Sequence, residues 1–142
     1  MKKYVNEMKV SLPSHSSNEG LCRSVVAAFV AQFNPTIGEI SDIKCAVSEA
    51  VTNAIVHGYR YAPGEILLRL RADEGRCIYV EVKDRGCGIE NVEQAMEPLF
   101  TTDTEGERSG MGFAVMQTFT DKLSVRSRLG RGTVVAMRKQ LS

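Results

Sequence analysis

The chain has 142 residues, 43% hydrophobic and 25% charged, with 18 Lys and Arg against 17 Asp and Glu for a formal charge of +1. That is enough apolar material for one globular core of ordinary size, and it excludes a chain that is mainly disordered. The balanced charge, with no dense Lys/Arg run and no Trp, argues against direct binding to nucleic acid, which draws its affinity from clustered basic charge.

A first strand is predicted where Met8, Val10 and Leu12 alternate with polar neighbours as far as Pro13. Ser16, with Glu19 three residues on, reads as a capping box. It opens a helix with the apolar stripe Leu21, Val25, Ala28 and Phe29, which stops at Asn34-Pro35. The same dipeptide opens a second helix, Asn34 as its cap and Pro35 in its first turn, running to about His57 with Gly58 as the stop. Residues 66–72 and 77–84 alternate apolar and polar around a short Gly-containing turn at 73–76, the pattern of a hairpin. Residues 86–110 show no strong period and hold at most a short helix near 92–96; a stretch this long inside a compact domain is usually functional or an insert. A third helix is predicted from Met111 to about Thr120, opening on a Gly-Met-Gly turn. Strands at 123–128 and 133–141 then flank Leu129-Gly130-Arg131-Gly132. This order predicts a two-layer α/β sandwich over residues 1–142, with a mixed, mostly antiparallel sheet covered on one face by helices.

Cys22, Cys45, Cys77 and Cys87 lie far apart with no CxxC pair, and His15 and His57 add no metal spacing, so they read as reduced thiols. No apolar run reaches the ~20 residues that a membrane span takes. The chain reads as a cytoplasmic protein without a membrane partner.

Three short motifs carry chemistry. Glu49 and Asn53, four apart on the second helix, share one flank beside the stripe of Ile40, Ile43, Val47, Ala50 and Ala54. They are either a solvated polar face or an acid next to an oxygen ligand for a hard cation such as Mg2+. Asp84-Arg85-Gly86-Cys87-Gly88 follows a strand. It is either an ordinary Asp-x-Gly turn or a place where backbone approaches a ligand closely, with an acid able to accept a hydrogen bond from an exocyclic amine. Arg108-Ser109-Gly110-Met111-Gly112 opens the third helix, where free N–H groups and the positive dipole end suit anions. No Walker-type GxxxxGK[ST] is present.

In this order, Glu49-Ala-Val-Thr-Asn53-Ala-Ile-Val-His57-Gly58, Asp84-x-Gly86-x-Gly88, Arg108-Ser-Gly110-Met-Gly112-Phe and Gly130-x-Gly132-Thr133 resemble the N, G1, G2 and late Gly-Thr boxes of the GHKL family. Within that family the chain is most similar to the small anti-sigma serine kinases, through Pro98-Leu-Phe-Thr-Thr102 and Glu107-Arg-Ser-Gly-Met-Gly-Phe113. The resemblance implies the GHKL ATP-binding fold, ATP or ADP as ligand, and Mg2+ bridging the phosphates on Asn53. It implies Glu49 as general base and Arg108 as the cation on the transferring phosphate. Asp84, helped by Thr133, would bind the adenine amine, with Gly86 and Gly88 shaping its pocket. Thr101 and Thr102 of the lid, with Ser109, would contact the nucleotide, and Gly110, Met111 and Gly112 would offer backbone N–H groups to its phosphates. Many relatives carry Lys-Pro after the paired threonines, whereas this chain has Asp103-Thr104. The implied partners are a sigma factor of the sporulation type, an anti-anti-sigma protein phosphorylated on serine, and a second copy in a homodimer. Arg23 on the first helix is the candidate partner contact. The alternatives are a general-stress anti-sigma kinase, a module that holds ATP without turnover, and a histidine-kinase catalytic domain.

Overall fold

The computed structural model describes residues 3–97 and 112–142. Strand β1 (Tyr4–Pro13) leads to helices α1 (Ser17–Ala31) and α2 (Ile37–Asn53), a π-helical turn (Ala54–Gly58), and strands β2 (Glu65–Asp73) and β3 (Cys77–Asp84). A short α3 (Val92–Ala95), α4 (Gly112–Phe119), β4 (Lys122–Arg128) and β5 (Gly132–Gln140) complete the described residues.

The sheet order is β1-β2-β3-β5-β4, and every neighbouring pair is antiparallel. The predicted sandwich is present, but among the described residues the sheet has no parallel pair and is antiparallel throughout, not mixed. Strand β4 does run in the direction of β3; β5, returning from the hairpin, lies between them and opposes both. Strict alternation fixes the register. Ile66, Leu68, Leu70, Ala72, Ile78, Val80 and Val82 are buried, whereas Arg69 and Arg71 turn outward to pair with Glu7 at 2.9 Å and Glu81 at 3.7 Å. A one-residue slip would exchange these sets, forfeiting about 1.5–3 kcal/mol for each aliphatic side chain exposed.

Helix α1 packs on α2, and α2 on α4, over the inner face. The buried face of α1 is Cys22, Val26, Phe29 and Val30, one position round from the predicted stripe, leaving Leu21 47% exposed. The capping box at Ser16 does not form: Ser16 has helical torsions and makes no side-chain cap, while the Glu19 carboxylate accepts the Ser48 hydroxyl and pairs with Arg23 at 3.3 Å. At α2 the cap is Thr36, in a complete box with Glu39, and not Asn34. Asn34 instead takes a left-handed φ of 53° and turns the chain between the helices. Helix α2 ends at Asn53, and the π-helical turn covers the rest of the span predicted as helix.

Arg76, in the β2–β3 turn, ties three segments together. Its guanidinium donates to the carbonyls of Phe33 at 3.1 and 2.9 Å, of Asn34 at 2.8 Å, and of Ser142. Charge-assisted bonds of this kind are individually strong, so Arg76→Ala is expected to cost about 1–3 kcal/mol. A urea unfolding midpoint equal to the parent's would contradict that role.

Candidate functional site

A cavity of ≈ 870 Å³ opens between α2 with its π-helical turn, the end of β3, α3 and the start of α4. Such a volume suits a small-molecule ligand. Ala50, Ala54, Val82, Ile89, Phe113 and Val135 give it apolar walls, and Asn53, Asp84 and Thr133 bring polar groups into them. Each side chain is there for a local reason. Asn53 is the last residue of α2 and Asp84 the last of β3, while Thr133 sits opposite Asp84 in the β3–β5 register.

The π-helical turn shapes one wall. Its wide coil brings the Tyr59 N–H to the Ala54 carbonyl at 2.8 Å, and the Gly58 carbonyl accepts from the Cys87 N–H at 2.8 Å. Such insertions in helices are frequent at functional sites. Gly58 and Gly86 lie so close that a Cβ on Gly86 would fall 2.1 Å from the Gly58 oxygen, and one on Gly58 2.9 Å from Asp84 Oδ1. At Gly86 backbone meets backbone and glycine is obligatory, whereas a side chain at Gly58 would have to displace the Asp84 carboxylate. Gly88, at φ 75°, crosses the β4–β5 turn, where a Cβ would meet the Arg128 oxygen at 2.2 Å.

Asp84 is buried, only 6% exposed. Burial pushes its carboxyl above the ordinary value of 3.8, and hydrogen bonds from the backbone of Gly86 and Thr133 partly offset that shift. The Gly86 N–H donates to Oδ1 at 2.9 Å. Thr133 Oγ1 is 2.8 Å from the Ser127 hydroxyl, which also donates to the Gly132 carbonyl at 2.9 Å and accepts the Ile89 N–H at 2.7 Å. Ser127 was not anticipated from the sequence. Its one signal was a polar residue in the same phase of the strand as the half-buried Leu123 and Val125.

At the other end of the cavity, Gly112 opens the described part of α4 against α2. A Cβ there would stand 3.1 Å from Asn53 Oδ1 and 3.2 Å from Glu49 Oε2. The structure thus brings Glu49, Asn53 and Gly112 together at one end and Asp84, Gly86, Gly88 and Thr133 at the other. Glu49 does not itself line the cavity wall, but its carboxylate reaches the same glycine as Asn53. Arg23 lies outside the cavity, on the exposed side of α1, paired with Glu19. Thr101, Thr102, Asp103, Thr104, Arg108, Ser109, Gly110 and Met111 fall outside the described residues. His57 and Arg60, neither of them among the candidate site residues read from the sequence, also line the cavity.

The donor set bears on metal. Among the described residues no three His, Cys, Asp or Glu side chains cluster to hold an ion. One amide oxygen beside one carboxylate suits Mg2+ shared with a ligand's phosphates, because that ion keeps several waters and takes few protein ligands. Among the described residues no helix is long and apolar enough to cross a membrane, and all four cysteines are free.

The fold is that of the histidine kinase-like ATPase domain, whose family model matches residues 12–139. Within that class the chain is 55% identical over 138 residues to the anti-sigma F factor of Thermoanaerobacter sp. (strain X514), covering 97% of this chain and 96% of that one. It is 47% identical over 137 residues to the anti-sigma F factor of Anoxybacillus flavithermus, covering 96% and 94%. The chain belongs to the anti-sigma F factor family of GHKL-type proteins. Among solved structures, the RsbU and RsbW domains of a Mycobacterium tuberculosis protein match it with a TM-score of 0.70 at 18% identity, over 96% of this chain and 33% of that one. A histidine kinase domain from Erythrobacter litoralis EL346 matches with a TM-score of 0.59 at 22% identity, over 92% and 62%. These two likenesses concern the fold.

Proposed function

We propose that the chain is an anti-sigma factor that binds a sigma factor of the sigma F type and, as an ATP-dependent serine kinase, phosphorylates an anti-anti-sigma partner. The observation that carries the catalytic part is the meeting of Glu49 and Asn53 at Gly112, in the cavity that buried Asp84 also lines. Asp84, ionised, accepts a hydrogen bond from the exocyclic amine of adenine, and Thr133 supports it. Asn53, together with the phosphates of a bound nucleotide, would hold Mg2+, which would neutralise phosphate charge. Glu49 takes the proton from the acceptor serine as its oxygen bonds to the γ-phosphorus, and the bond to the β–γ bridging oxygen breaks to leave ADP. Arg108 and the N–H groups of residues 110–112 complete the charge stabilisation, the main demand of phosphoryl transfer.

The 47–55% identity to anti-sigma F factors supports the sigma F type over the general-stress type. A homodimer, with Arg23 at the partner-binding surface, belongs to the same reading. Incubation with radiolabelled ATP, Mg2+ and the host's anti-anti-sigma protein is expected to give phosphoserine on the latter. An unmodified acceptor would overturn the kinase assignment and leave a non-catalytic nucleotide switch. Gly112→Ala tests the geometry: the added methyl presses on both Asn53 and Glu49 at just over 3 Å, so transfer is expected to fall about 10-fold or more, as small misplacements at reacting groups do. Full activity in this variant would place the chemistry elsewhere.

A further inference from the structure

Tyr59 follows the π-helical turn, in a segment that the family motifs do not include. Its ring lies flat against the chain at Gly64, where a Cβ would come within 2.4 Å of Cε1. Its hydroxyl accepts the Arg85 N–H at 2.8 Å and donates to the Glu65 carbonyl. The β2–β3 register explains what this bridge does. Leu67 pairs with Lys83, so two residues on Glu65 stands opposite Arg85, and a regular ladder would join them directly. The Tyr59 hydroxyl occupies that junction and relays the bond from N–H to hydroxyl to carbonyl. The sheet is held open by one group at the residue after Asp84, and the chain from Arg85 to Gly88 leaves it toward the cavity.

Residues 58 and 59 therefore hold this turn at two points. The Gly58 carbonyl takes the Cys87 N–H at 2.8 Å and the Tyr59 hydroxyl takes the Arg85 N–H. Between them the Gly86 N–H fixes Asp84 Oδ1 at 2.9 Å. We propose that Tyr59 is a positioning residue for nucleobase recognition, its hydroxyl setting the direction of the Asp84 carboxylate through the Arg85–Gly86 backbone. This rests on the reading of the cavity as an ATP site. Adenine presents an amine to Asp84 where guanine presents a carbonyl, so a well-aimed carboxylate separates the two bases, and a loosened one separates them less.

Tyr59→Phe removes the bridge and keeps the ring. Calorimetry with ATP and GTP, together with phosphotransfer kinetics, tests it. Roughly 3–10-fold weaker ATP binding is expected, the size of one lost hydrogen bond. The preference for ATP over GTP should shrink by a similar factor, with kcat at saturating ATP unchanged. A merely structural tyrosine would lower the melting temperature and leave the ATP-to-GTP ratio at the parental value; that ratio, unaltered, overturns the proposal. Hydrogen exchange on the parent keeps the test independent of how the variant folds. Protection of the Arg85 amide that rises with ATP supports the relay, and an unprotected Arg85 amide overturns it. If the parent itself binds no ATP, the failure lies in the nucleotide reading and is visible before any variant is made.

Discussion

Glu49→Gln is expected to leave ATP affinity within a factor of two or so of the parent and to lower phosphotransfer by about 10²–10⁴-fold, the usual worth of a general base. The substitution keeps length, shape and helix propensity, so α2 is undisturbed. What it removes is the capacity to take a proton at the point where Glu49 Oε2 and Asn53 Oδ1 both approach Gly112. Calorimetry on the variant separates this from damage to binding, and a radiolabelled transfer assay measures the loss. A structural role for Glu49 predicts the reverse pattern, a lower melting temperature with transfer near the parental rate.

Asp84→Asn is expected to weaken ATP binding by about 10–100-fold, because the new amide turns a donor toward the adenine amine and leaves a buried polar group unpaired. The same variant is expected to be more heat-stable than the parent at neutral pH. Burial raises the Asp84 carboxyl in the folded state, so the native chain holds this proton more tightly than the unfolded one. The stability that this provides is present below the ordinary value of 3.8 and is lost as pH rises through the raised value. At neutral pH the parent therefore carries a buried carboxylate that Asn does not. The gap between variant and parent should narrow as pH falls through the carboxylate range, and ATP binding by the parent should weaken over the same window. Thermal melts across that window check the first point; a variant less stable than the parent at pH 7 would contradict it.

The strands were legible because period two survives any tertiary context that keeps one face buried, as Ile66 to Ala72 and Ile78 to Val82 do. Helix caps were less so. Ser16-x-x-Glu19 and Thr36-x-x-Glu39 have the same spelling, but only the second forms a box. Glu19 is taken by Ser48 and Arg23, a competition between helices that no local pattern reveals. The glycines of the site could be read from spacing. Their reason, two backbones approaching at Gly58 and Gly86, needed the fold. Ser127 and Tyr59 escaped because each acts through backbone groups distant in sequence. The π-helical turn escaped because its residues have an ordinary helical composition.

A structure of the chain with a non-hydrolysable ATP analogue and Mg2+ bears most directly on the whole account. Its adenine amine should lie within hydrogen-bond distance of the Asp84 carboxylate, and its triphosphate should run to Asn53 and the start of α4. An analogue seated elsewhere, or one whose base points away from Asp84, would contradict it.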